Sequence, residues 1–340
     1  METNTEKVQI YPPRLVPTLA AGFNLIANNV RLMLFPIGME LLIWFGPHFR
    51  LKTLLQPIIN DMTLSLTDLS KPDTEEMVKA IQSIWQATLD QFNIISVLRT
   101  YPIGIPSLFA SQGSLKTPLG DVRIFEISSI SNAFLFWIVL SLTGILLGTI
   151  YFNEVARLVN KNHDQFSTGS IILKYFQVLI LTITLIIILM IITIPTSILL
   201  TIAATVNLFL AQIALLIITF LLIWLLFPLF FSPHGIFVNN QNVLVSILNS
   251  VRLVRFFLPG TGLLIMTILF ISQGLNALWR LAPATSWMAL IGMVGHAFTA
   301  TGLLAATFVY YRDGIAWMEE NLKRMAASRQ SDKKPNLGQQ

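Results

Sequence analysis

The chain has 340 residues, 54% of them hydrophobic, and a net charge of +5 from 22 Lys and Arg against 17 Asp and Glu. Charged residues make up only 11%, less than half the ~25% usual for soluble domains, which excludes an ordinary water-facing globular core. Cysteine is absent, excluding disulfides and thiol chemistry, and the scattered basic residues form no nucleic-acid-binding patch.

Taken in chain order, the charges act as punctuation. Residues 1–30 read as a cytoplasmic N-terminus ending in an interfacial helix, an amphipathic stretch around Gly22-Phe23-Asn24-Leu25-Ile26. Residues 32–49 contain a single charge, Glu40, and give a short first span at 31–47. A long segment at 48–129 follows, rich in turns at Tyr101–Pro106 and Thr117–Gly120. It holds one expected helix, capped at Pro72-Asp73-Thr74 with Glu75 and Glu76 in the first turn. Its apolar stripe runs from Met77 through Ile81, Ile84, Trp85, Leu89 and Phe92 to Ile95, and needs a partner such as residues 50–60, the bilayer surface or another subunit.

A second span is expected at 130–152, then a loop at 153–170. Residues 175–251 contain no Asp, Glu, Lys or Arg, a run that only a hydrocarbon environment accommodates. Its apolar part divides at Pro195-Thr196-Ser197, predicting spans at 171–194 and 203–231. Residues 232–257 read as an interfacial helix, with Leu244, Ile247, Leu248, Val251 and Val254 on one side. Asn242, Ser246, Asn249, Arg252 and Arg255 lie on the other. Spans at 258–280 and 287–311 and a tail at 312–340, helical over 315–329, complete the chain.

The expected fold is thus all-α, an integral membrane protein with six transmembrane helices, amphipathic interfacial helices and a small helical extracytoplasmic cap. With six spans the termini share a side. That side carries most Lys and Arg, while the 47–130 segment balances seven basic against eight acidic residues. The positive-inside rule then places both termini in the cytoplasm.

Chemistry is sparse. The four histidines match no metal-binding spacing, and neither a Walker A sequence nor a GxSxG elbow is present. No catalytic residue and no cofactor are expected. Gly144 and Gly148 form a GxxxG pair in the second span, and Gly292, Gly295, Thr299, Gly302 and Ala306 align on one face of the last. Both patterns point to close helix packing, within the bundle or in a homo-oligomer. Glu40 and His296 are ionisable groups inside spans, with Gln273, Asn276 and Arg280 in the outer half of the fifth. These five form the candidate intramembrane polar site, either a structural pair with amide bonds or a proton- or substrate-coupled path.

The stretch Pro233, Val238, Leu248, Ser250, Leu253, Val254 and Arg255 resembles uncharacterised bacterial six-helix membrane proteins. These are loosely similar to the membrane domain found beside glycerophosphodiester phosphodiesterases. Leu98-Arg99-Thr100-Tyr101-Pro102 and Ile105-Pro106-Ser107-Leu108 resemble the external segment of the same relatives. The resemblance implies a bacterial inner-membrane protein without the soluble catalytic barrel. The expected role is non-enzymatic, in envelope or lipid organisation or as a partner subunit. Its partners would be the bilayer and a membrane protein or a second copy, with a transporter as the alternative.

Overall fold

The computed structural model describes residues 11–69, 75–111, 115–160 and 168–332. The predicted cap at Pro72-Asp73-Thr74 and the residues Lys7, Lys161, His163 and Lys334 lie outside them. The protein is helical almost throughout: α1 (Leu15–Ala27), α2 (Leu34–Phe45), α3 (Lys52–Leu69), α4 (Glu75–Gln91), α5 (Ile130–Asn160), α6 (Thr168–Val206), α7 (Leu208–Leu226), α8 (Ser232–Val238), α9 (Val243–Phe256), α10 (Leu258–Trp279) and α11 (Ala289–Asp332). The described residues also form four short strands, β1 (His48–Arg50), β2 (Lys116–Thr117), β3 (Gly120–Asp121) and β4 (Ile124–Glu126), and several 3₁₀ turns.

Among the described residues five helices are long and apolar enough to cross a membrane, beginning at Ile130, Gly169, Leu208, Leu258 and Ala289. A sixth crossing exists only if α1 and the Val30–Phe45 stretch, bent by 87° between them, count as one span. The short span expected at 31–47 falls within this bent stretch and is not one of the five on its own. A 3₁₀ turn at Val30–Met33 precedes α2, whose 12 residues rise only ~18 Å.

The expected break at Pro195 is also corrected. α6 continues through it to Val206, and the chain reverses at Asn207, whose side chain caps α7 by accepting the Phe209 N–H at 2.8 Å. Proline costs one backbone bond here, while Thr193, Thr196 and Ser197 turn their hydroxyls back onto carbonyls of the preceding turn at 2.8 Å. A proline among such residues is tolerated in an apolar helix. The expected tail helix 315–329 is not a separate element but the end of α11.

The chain divides into two compact units. The first comprises residues 1–25, 155–269 and 302–340. Its core gathers Phe231, Phe308, Tyr310, Tyr311, Val254 and Leu264, all fully buried, with the Phe231 ring stacked on Tyr310 at 5.7 Å. α9 packs on α8 through its small side chains. Ser250 Oγ donates to the Pro228 carbonyl at 2.7 Å and accepts the Phe231 N–H at 3.0 Å, and Ser246 Oγ donates to the Ser232 carbonyl at 2.5 Å. Ser246 thereby departs from its expected polar face, while Asn242, Arg252 and Arg255 stay exposed as expected. Leu244 and Leu248 point outward and the serines inward, because a hydroxyl reaches the free carbonyls of the 228–232 turn and a leucine does not.

The second unit comprises residues 26–154 and 270–301. Here α3 and α4 pack on each other, with Val78 and Leu89 inside and Ile84 and Trp85 exposed at 64% and 43%. α4 stops at Gln91, short of the expected stripe, because Asn93 caps a separate 3₁₀ turn at Ile94–Leu98. β1 pairs with β4 in parallel, fastened by Arg50 and Glu126 at 2.8 Å.

Candidate functional site

Glu40 sits in the middle of α2 with no exposed surface. A carboxylate in such a place must be paired, neutralised or wet. It is met by the segment Ser107–Ala110. Ser107 Oγ donates to Glu40 Oε2 at 2.9 Å and the Phe109 N–H donates to the same oxygen at 3.0 Å, while the Leu108 N–H donates to Oε1. Ser107 in turn accepts the Ala110 N–H at 3.1 Å. Glu40, Ser107, Leu108 and Phe109 are all buried, so water competes little for these bonds. One acid thus satisfies the free donors that begin the 3₁₀ turn Phe109–Ser111.

His296 Nε2 stands 3.8 Å from Glu40 Oε1, and its Nδ1 lies 2.9 Å from Asn276 Oδ1. With Nδ1 donating to that amide oxygen, Nε2 faces the carboxylate without a hydrogen-bond partner. Of the five predicted residues, Glu40, His296 and Asn276 therefore come together. Arg280 is exposed, and its charge, like that of Arg99, bears on His296. Gln273 is exposed and outside the cluster, a correction to its predicted membership. Glycine spacing along α10 gave no clue to which amide faces α11.

The small-residue patterns find different partners. Gly144 and Gly148 do not seat a helix, as their spacing suggested. A Cβ on Gly144 would strike the Leu98 carbonyl oxygen and lie 2.7 Å from Thr100 Cγ2; one on Gly148 would lie 3.1 Å from the Gly104 Cα. The missing side chains open a groove along α5 that holds the backbone of Leu98–Gly104, the chain leading to Glu40's partners. In the second unit, Gly292, Gly295 and Thr299 of α11 seat Trp279. A Cβ on Gly295 would come within 2.6–2.7 Å of that ring, and Trp279 Nε1 donates to Thr299 Oγ1 at 3.3 Å. In the first, Gly302 and Ala306 receive Gly22 and Phe23 of α1. The stripe is an internal seam along its length.

Sequence reasoning missed Ser107, Leu108 and Phe109. The available signal was an acid inside an apolar helix, which requires donors, together with the Pro106-Ser107 turn in the same chain. Among the described residues no three His, Asp or Glu side chains converge on a point that would hold a metal ion. The cavity walls described by Ile43, Trp44, His48 and Asn93 in the second unit, and by Arg14, Thr18 and Arg312 in the first, include neither Glu40 nor His296. No protein-family model, no curated protein and no solved structure matches this chain.

Proposed function

We propose that the chain is a non-catalytic membrane protein of the bacterial inner membrane. It has six spans, counting the bent α1–α2 pair as one, and both termini are cytoplasmic. Its role is envelope or lipid organisation, or that of a membrane partner subunit. The observation that carries this reading is the occupancy of Glu40, whose two carboxylate oxygens are engaged by three donors of the Ser107–Phe109 segment. A carboxylate spent in this way holds a loop and is poorly placed to exchange protons or substrate. Ile84 and Trp85 on α4, with Ile58 and Met62 on α3, supply exposed apolar side chains that a partner or lipid would cover. The resemblance at 233–255 and 98–108 to uncharacterised six-helix membrane proteins belongs to the same proposal.

The second reading, a transporter using Glu40 and His296, rests on one observation: His296 Nε2 is unpartnered and 3.8 Å from the carboxylate. Proteoliposomes separate the two. The full chain is reconstituted with a pH-sensitive dye inside, and proton flux is followed under an imposed pH gradient and membrane potential. The structural reading expects flux no greater than in empty vesicles for wild type and for Glu40→Gln. Wild-type flux abolished by Glu40→Gln, with the variant still folded, would establish the transporter instead.

A further inference from the structure

A second polar cluster lies in the same unit, beside the Glu40 site and sharing Phe109 with it but not Glu40 itself. A cavity of about 270 Å³ opens between the end of α2, β1, the end of α4 and the two 3₁₀ turns. Its apolar wall is Ile43, Trp44, Phe92 and Phe109. His48 and Asn93 stand in its polar wall, 1% and 5% exposed, and His48 Nδ1 and Asn93 Nδ2 have no hydrogen-bond partner. The orientation of the Asn93 amide is fixed. Its oxygen accepts the Phe49 N–H at 3.2 Å and the Ile95 N–H at 3.1 Å, which commits the NH₂ group to the other side. A buried donor held in place without an acceptor is costly, and buried polar groups in native proteins are almost always satisfied.

We infer that this cavity binds a small uncharged amphiphile, through an ester, carbonyl or hydroxyl oxygen that accepts from Asn93 and an apolar group set against Trp44, Phe92 and Phe109. Charge selects the class. No Asp, Glu, Lys or Arg lines the cavity, so an ionic ligand would lose its hydration with nothing to replace it. Size limits it too. The volume falls just below the ~300 Å³ at which drug-sized pockets begin, so the occupant is a short glycerol ester rather than a whole phospholipid. Place agrees with both. Trp44 lies at the end of an apolar helix, its ring 6.2 Å from that of Trp287 and its Nε1 donating to the Ala284 carbonyl at 2.9 Å, the kind of aromatic cluster found where lipid esters and glycerol reside. This assignment does not depend on whether Glu40 is a latch or a transport site.

The probe is glyceryl monobutyrate, an uncharged ester with two hydroxyls and a short acyl chain. It is titrated by saturation-transfer NMR onto the full chain in lipid nanodiscs, with empty nanodiscs as the reference. Saturable binding is expected with a dissociation constant on the order of a millimolar, as for small fragments. Butyrate ion should bind at least tenfold more weakly. Asn93→Asp keeps the acceptor oxygen but replaces the NH₂ donor, and Ser96→Phe fills the cavity from its polar side; each should weaken binding at least tenfold. The two variants act by independent routes, so either decides if the other fails a melting control. Absence of saturable wild-type binding, equal binding of butyrate, or wild-type affinity in a folded variant would overturn the assignment.

Discussion

Replacing Glu40 by Leu tests the carboxylate's role most severely. The substitution keeps the apolar volume of α2 but strips acceptors from the Ser107 hydroxyl and from the Leu108 and Phe109 N–H groups. Each buried donor left unmade costs about 1–3 kcal/mol, so three give an upper range of about 3–9 kcal/mol. The segment 107–110 relaxes in part, and loss of one partner in a buried charged network usually costs about 3–5 kcal/mol, which is the value expected here. At about 2–4 °C per kcal/mol for a domain of this order of size, the melting temperature should fall by about 6–20 °C. Thermal unfolding in detergent, followed by tryptophan fluorescence, reads this directly, since Trp44 is buried one turn beyond Glu40. Ser107→Ala, which removes one of the three donors, should cost about 1–2 kcal/mol. A Glu40→Leu protein melting within a degree or so of wild type would refute the idea that these bonds hold the loop.

Glycine positions give a paired test. Gly144→Ala should destabilise by 2 kcal/mol or more, about the cost of overpacking, because its Cβ meets the Leu98 carbonyl, whereas Gly38→Ala meets nothing within 4 Å and should gain about 0.5–1 kcal/mol; the same melting assay ranks them. Ser250→Ala removes one donor and one acceptor at the α8–α9 turn, so limited proteolysis should cut near residues 228–243 several times faster than in wild type, while Leu248→Ser on the exposed face should leave the rate unchanged. His48 gives the pH dependence. Burial holds its imidazole below the ordinary value, against a raising contribution from the Gly46 carbonyl and with help from the Arg50 charge. A depressed folded-state value means that the stability it contributes is fully present above about pH 6.5 and is lost as the pH falls below that. The protection of the β1 amides, taken relative to their intrinsic exchange rate at each pH, should fall on acidification in wild type and much less in His48→Gln; an equal fall in both would contradict the assignment.

The long apolar helices were legible because charge is costly in hydrocarbon, and the run 175–251 carries no Asp, Glu, Lys or Arg. Where the sequence misled, a backbone group was the hidden partner. Pro195 looked like a break because its lost N–H is visible in the sequence, while the hydroxyl bonds that make the loss tolerable appear only once α6 is built. Ser246 was assigned to the wet side of α9 by polarity, yet the Ser232 carbonyl draws it inward, as the Pro228 carbonyl draws Ser250. Gly144 and Gly148 announced a close approach without saying to what, and the partner proved to be extended backbone rather than a helix. Glu40 and His296 could be picked out as costly groups in apolar helices. Two of Glu40's three partners could not, since an N–H carries no letter of its own.

Hydrogen exchange at the Leu108 and Phe109 amides addresses the central claim most directly. In the wild-type chain in nanodiscs both should exchange slowly, held by the Glu40 carboxylate in residues that are themselves buried. In Glu40→Gln, whose amide offers one acceptor oxygen where the carboxylate offers two, exchange at these two positions should rise at least tenfold while α5 and α11 stay protected. Slow exchange at both amides in the variant, or fast exchange in wild type, would contradict the account.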